Sequence, residues 1–247
     1  MLLRVPEQGC GWEWLRWVWG LGEVSLLFLI SIVSPELITD DISVFLGRVI
    51  VSIRDELGNL CNWRVRLHLK SLGSPRVPEF TALKNAQRIY GQYGICMEFA
   101  SGESIPNAVE TSNQTLSLTA VDVGSCSMPQ AMTPQQEALF KHGSRQFALG
   151  TDITCYWVEN VKSDGRNLAG CAAHPSGPFN ARGACVVAAS GSPWTLAHEV
   201  GHVLGLRHSG NNMEMMFTPT SAIMAPVPSI SDSDLRTVKS SSYCVAC

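Results

Sequence analysis

The chain has 247 residues, 45% of them hydrophobic, and a formal net charge of -3. That length holds one domain of ordinary size plus an extension. A near-neutral, mildly acidic balance without a Lys/Arg cluster excludes nucleic-acid binding driven by a basic surface.

Residues 1–62 read as an N-terminal extension. Trp12, Trp14, Trp17 and Trp19 crowd its start, and an apolar run follows from Val24 to Val33. That run alone is too short to span a bilayer. Carrying it upstream to Leu15 brings in Arg16 and Glu23. Four readings stay open for this part: a signal-peptide core, a membrane attachment through residues 1–60, a pro-segment, or translated sequence ahead of the true start.

From Trp63 the pattern becomes regular. Residues 63–70 alternate, with Val65, Leu67 and Leu69 on one face and Arg64, Arg66, His68 and Lys70 on the other, which predicts a half-buried strand with a solvated His68. Residues 80–93 read as a helix facing a core through Leu83, Ala86 and Tyr90, ended by Gly94. A strand is expected at 95–99 and another at 116–123. A helix is expected at 134–142, with His142 placed well for the helix dipole. Further strands are expected at 153–158, 168–173 and 184–189, with a turn at Asp164-Gly165. The next helix runs from Pro193 to Leu204, with Ser192 a candidate cap. The last helix spans 232–240 and is capped by Ser231. This order of elements predicts an α+β fold, a mixed sheet with helices packed on it.

Nine cysteines are present, seven of them in residues 96–247. That density points to an oxidising compartment and to disulfides. The candidate pairings are Cys171 with Cys185, and one involving Cys244 or Cys247. Asn113-Gln114-Thr115 is a glycosylation sequon, informative only in an exported eukaryotic chain.

The densest signal lies at 198–208, where the chain reads His-Glu-Val-Gly-His-Val-Leu-Gly-Leu-Arg-His. It fits H-E-x-x-H-x-x-G-x-x-H at every fixed position. Residues four apart share a helix face, so His198 and His202 point the same way. Glu199 is rotated by about 100° from His198, within reach of a water at the same centre. Gly205 can adopt the positive φ that ends a helix, which lets His208 return as a third ligand. Three imidazoles and one open position describe a catalytic zinc site rather than a closed structural one. Neither G-x-S-x-G nor a phosphate-binding glycine loop is present.

These residues resemble the metzincin zinc endopeptidases, and Ser209 after the third histidine is similar to the matrixin branch. The stretch Asp164-Gly165, Leu168-Ala169 and Pro175 resembles the matrixin segment leading into the strand that edges the substrate cleft. The resemblance implies a twisted mixed sheet with packed helices and a small irregular C-terminal part ending in a helix. It implies a catalytic domain over 63–247, with an upper part at 63–208 and a lower part at 209–247. It further implies one catalytic zinc on His198, His202 and His208, with Glu199 as general base. Leu168, Ala169, Gly170, Cys171, Ala172 and Ala173 become the cleft-edge strand. Met216 becomes the methionine of the tight turn, with Met224 the alternative. Residues 217–226 become a wall of the pocket. No tyrosine closely follows either methionine, so a tyrosine ligand has no counterpart. The histidines of a second, structural zinc are missing, and calcium stays undecided. Cys10 or Cys61 remains a candidate cap on the zinc of a latent form.

The implied function is hydrolysis of peptide bonds in a protein or peptide substrate by a secreted or cell-surface enzyme, without nucleic acid and with a monomer favoured. The alternative is a non-catalytic zinc-binding or membrane-anchored module derived from a metallopeptidase.

Overall fold

Strand β1 (Trp63–Ser71) lies in the middle of the main sheet, because both of its edges are used. Its whole length pairs in parallel with β2 (Ile95–Ser104) on one side. On the other side Leu67–Ser71 pair in parallel with β6 (Ile153–Val158), and Trp63 and Arg64 pair antiparallel with β11 (Val245–Ala246). Beyond β6 come β10 (Gly183–Ala188), parallel, and β9 (Gly170–Cys171), antiparallel and at the sheet's edge. The computed structural model describes residues 61–110, 115–126, 133–142, 150–172 and 183–247. The apolar run at 24–33, Cys10, Asn113 and Gln114 of the sequon, Ala173, His174 and Pro175 lie outside them. No helix among the described residues is long and apolar enough to cross a membrane. Residues Cys61–Ala246 form one compact unit.

Helix α1 (Glu79–Gly91) makes the crossover from β1 to β2 that a parallel pair needs. It buries Ala82, Leu83, Ala86, Ile89 and Tyr90. They meet Val65, Leu67 and Leu69 of β1 and the apolar side of α3 (Thr195–Val203), which contributes Leu196, Ala197, Val200 and Val203. Every residue of β6 and β10 is buried, as parallel strands covered on both faces require. A second cluster forms on the opposite face. Tyr156, Val158, Ala184, Val186 and Ala188 pack there with Val121, Val161, Leu139 and Phe140. This layer comes from α2 (Pro134–Lys141) and a small sheet of β5 (Ala120–Asp122), β7 (Asn160–Ser163) and β8 (Arg166–Leu168). A separate hairpin joins β3 (Ala108–Glu110) to β4 (Thr115–Ser117). The fold is thus α+β with a mixed sheet.

The polar face of β1 is covered too, by groups of β2 and by Asp152 just ahead of β6. His68 is buried rather than solvated, with Nε2 2.9 Å from Asp152 Oδ2 and Nδ1 2.7 Å from Ser101 Oγ. Lys70 is buried too and ion-paired to Glu103. Alternation told which residues share a face, not what covers it.

Two expected strands are broken. Residues 116–123 divide into β4 and β5, because the chain leaves β3 and joins β7. Residues 168–172 divide in the same way, since Leu168 pairs with Val161 in the small sheet while Gly170 and Cys171 pair with β10. The Asp164-Gly165 turn joins β7 to β8 with φ of 48° and 78°. Helix α3 begins at Thr195 rather than at Pro193, and Ser192 is not its cap residue. Ser192 Oγ instead accepts from the Trp194 N–H.

The disulfide expectation is corrected. The described bridges are Cys61–Cys96 and Cys126–Cys171. Cys171 lies in the second cluster and Cys185 in the first, on opposite faces of the sheet, so those two cannot meet. No bridge involves Cys244, a buried thiol. Cys61 is consumed by its bridge and is no candidate cap for a metal.

Candidate metal centre

Helix α3 carries His198, Glu199 and His202 and is anchored along its length. Tyr90 of α1 donates its hydroxyl to the Ala197 carbonyl at 3.1 Å. A Cβ at Gly201 would lie 2.6 Å from Met216 Sδ and 3.0 Å from Met215 Cε, so only glycine lets the helix sit this close to both methionines. Sequence reasoning missed this position, a variable place in the motif. The helix ends at Val203, and Gly205 turns the chain with φ of 98°.

The turn brings three rings together. His202 Nε2 lies 3.2 Å from His198 Nε2 and 3.1 Å from His208 Nε2. The three histidines form the metal-competent group found among the described residues. Carbonyls fix the rings from behind. His198 Nδ1 is 3.0 Å from the Met215 carbonyl, and His202 Nδ1 is 2.8 Å from the Leu206 carbonyl. A carbonyl only accepts, so each Nδ1 carries the proton and each Nε2 turns a lone pair inward. Lone pairs of His198 and His202 facing each other at 3.2 Å repel unless a cation lies between them. A tetrahedral zinc with nitrogens at about 2.0–2.1 Å would separate them by roughly 3.3 Å. The donor set therefore fits zinc. The carbonyl partners were not legible beforehand, since any residue type supplies a carbonyl.

Electrostatics agree with neutral ligands. Burial, with the neighbouring His202 and His208 adding to it, pushes the His198 pKa down to about 3 against the opposing Met215 carbonyl. Burial lowers His208 as well. Burial also raises the carboxyl of Glu199 to about 8.

Some of the other predicted residues lie against Glu199 and α3. β9 runs against Glu199: a Cβ at Gly170 would be 2.6 Å from its Oε1 and 2.8 Å from its Cδ and Cγ. Leu168 and Ala169 lead into that strand, Cys171 and Ala172 are buried beyond it, and Ala173 lies outside the described residues. Met216 is 2% exposed against α3, whereas Met224 is 73% exposed. The turn from His208 to Met216 is stapled by Glu214, which accepts from Ser209 Oγ and, at 3.2 Å, from Asn211 Nδ2. The Ser209 N–H donates to the Met216 carbonyl at 2.8 Å. In segment 217–226, Thr220 Oγ1 is 2.9 Å from Thr195 Oγ1 at the start of α3. A cavity of about 560 Å³ lies elsewhere, lined by Ser71, Ser74, Glu79 and Ser104 and by none of the three histidines.

The family model of the matrixins (Peptidase_M10) matches residues 156–242, which include the three histidines and Glu199. Over that stretch the chain is similar to the matrixins, in line with the resemblance carried by its histidine motif. Among solved structures, metalloproteinase-II from Bacteroides fragilis is similar at 16% identity and a TM-score of 0.49, over 73% of this chain and 53% of that one. This chain thus spans about half the length of that protein. Archaemetzincin from Methanopyrus kandleri is similar at 12% identity and a TM-score of 0.44, over 71% of this chain and 94% of that one. No curated protein matches the chain.

Proposed function

We propose that the protein is a zinc-dependent endopeptidase in which His198, His202 and His208 bind one catalytic zinc through Nε2. The observation that carries this reading is the convergence of three ring nitrogens beside Glu199, within the segment that matches the matrixin model. When bound, zinc supplies a Lewis acid that lowers the pKa of water towards about 7 and polarises a scissile carbonyl. The protein's own groups do the rest. The Met215 and Leu206 carbonyls hold the rings of His198 and His202 in one tautomer and one orientation. Glu199 accepts a proton from the attacking water at its carboxylate and passes it to the leaving amine. Burial alone favours its protonated form in the metal-free site, and a zinc cation beside it would favour the carboxylate that accepts the proton. The outer edge of β9 offers backbone groups to an extended peptide, which adds by β-pairing. Segment 217–226, pinned to α3 through Thr220, walls the pocket for the residue after the scissile bond. Met216 serves as the packed methionine of the turn below the site. The two disulfides among the described residues fit a secreted or cell-surface location.

The test is Glu199→Gln. Zinc content should stay at the wild-type level while cleavage of a labelled protein substrate falls by about 10²–10⁴, the usual loss when a general base is removed. Unchanged turnover would remove Glu199 from the mechanism.

A further inference from the structure

The strand nearest Glu199 is held by very little of its own. β9 consists of Gly170 and Cys171, and its ladder to β10 is two register pairs, Gly170 with Val187 and Cys171 with Val186. One further backbone bond, from the Ala188 N–H to the Ala169 carbonyl at 2.8 Å, precedes them. A strand this short has little stability from pairing alone. Yet its placement is demanding. The Gly170 backbone lies so close to Glu199 that a Cβ there would overlap the carboxylate, at 2.6 Å from Oε1.

Neighbouring residues of a strand point to opposite faces. Gly170 faces Glu199, so Cys171 faces away, into the second hydrophobic cluster, where it is 1% exposed. There it is bridged to Cys126, 45 residues earlier in the chain, with Cα atoms 5.9 Å apart. Cys126 closes a tight turn after β5, its N–H donating to the Val123 carbonyl at 3.2 Å. β5 is itself paired with β7. The bridge therefore fastens the edge strand to the second layer from the side away from the histidines.

We propose that the Cys126–Cys171 disulfide is a positioning element of the site: it holds β9 where the Gly170 backbone seats the Glu199 carboxylate and where the strand's outer edge stays aligned for an extended peptide. This rests on the endopeptidase reading. The cross-link acts on the strand and not on the histidines, so its loss should weaken substrate binding without releasing the metal.

The experiment compares the full chain with its Cys126→Ala/Cys171→Ala variant, both zinc-loaded and both with Cys61–Cys96 formed. Hydrogen exchange is read at the amides of 169–172 and of α3, together with zinc content, kcat and KM on a labelled protein substrate. In the variant, exchange at 169–172 should quicken roughly tenfold or more while α3 keeps its protection. Zinc content should be unchanged, and KM should rise roughly fivefold or more with a smaller change in kcat. Unchanged exchange at 169–172, or unchanged kinetics in an active enzyme, would overturn the proposal. Loss of protection across α3 together with loss of zinc would overturn it too, by making the bridge a general staple of the fold. A wild type that cleaves nothing would sink the endopeptidase reading by itself, while the exchange contrast would still decide whether the bridge places β9.

Discussion

His198 resists protonation because it is buried beside two other imidazoles, and Glu199 resists ionisation because it is buried next door. These opposite shifts give the metal-free protein a characteristic pH profile. An unfolded histidine titrates near 6.5, while folded His198 titrates at about 3, so the unfolded chain takes up the extra proton between those values. Stability from this group is full above about 6.5 and falls as pH drops towards 3. His208, also lowered, adds the same sign. Glu199 acts in reverse. Its folded value of about 8 lies above an unfolded value of about 4.3, so its contribution is full below about 4.3 and is lost as pH rises towards 8. Glu98, raised by burial against the lowering charges of Arg64 and Arg66, adds to that side. Denaturant midpoints of the metal-free protein should therefore be nearly flat between about pH 4.5 and 6.5 and should fall on both sides. A steady rise from pH 4.5 to 8 would contradict these environments. Also at this scale, Gly201→Ala puts a methyl group into Met216 and should cost about 1–3 kcal/mol. Thermal unfolding checks that, and an unchanged midpoint would show that the methionines yield freely. The histidines and Glu199 were legible as letters in the sequence. Gly201 was not, because its constraint comes from Met215 and Met216, fourteen and fifteen residues further on.

Among the elements, the turn after His208 matters most. Its shape is set by Glu214, which gathers Ser209 and Asn211, and by the Ser209 N–H bond to the Met216 carbonyl. That shape delivers the Met215 carbonyl to His198. Glu214→Ala should therefore loosen a ring it never touches and weaken zinc affinity by about 10–100-fold, the usual effect of losing an outer-shell partner. Competition with a chromogenic chelator measures this, and unchanged affinity would show that the turn keeps its shape without the carboxylate. Helices were read from the sequence more closely than strands, because their apolar spacing is local, although the start and cap of α3 were misplaced. The 232–240 helix with its Ser231 cap is present as read, with the Ser231 side chain accepting from the Asp234 N–H. The strands at 116–123 and 168–172 were read as single elements. Nothing in their alternation marks where a chain changes partner strand, as it does near Leu118 and Ala169.

At the scale of the molecule, the proposed zinc site is assembled within the unit Cys61–Ala246, on a helix that packs against a sheet buried on both faces. A fragment of residues 61–247 should thus retain zinc and hydrolytic activity to within about threefold of the full chain, since the proposed ligands and base all come from it. Loss of zinc from that fragment would show that residues 1–60 help build the site. The second layer was the main feature that sequence patterning hid. It forms the cluster that takes in Cys171, on the face of the sheet opposite Cys185, while His68 and Lys70 are buried by Ser101 and Glu103 of β2 and by Asp152 just ahead of β6. Which faces are covered, and by what, depends on contacts between distant segments, and local periodicity does not carry that information.

X-ray absorption at the zinc edge of the zinc-loaded full chain tests the central claim most directly. The account predicts three imidazole nitrogens at about 2.0–2.1 Å and one further light-atom ligand, with no sulfur. Sulfur scatterers at about 2.3 Å would place the metal on the cysteines and contradict it.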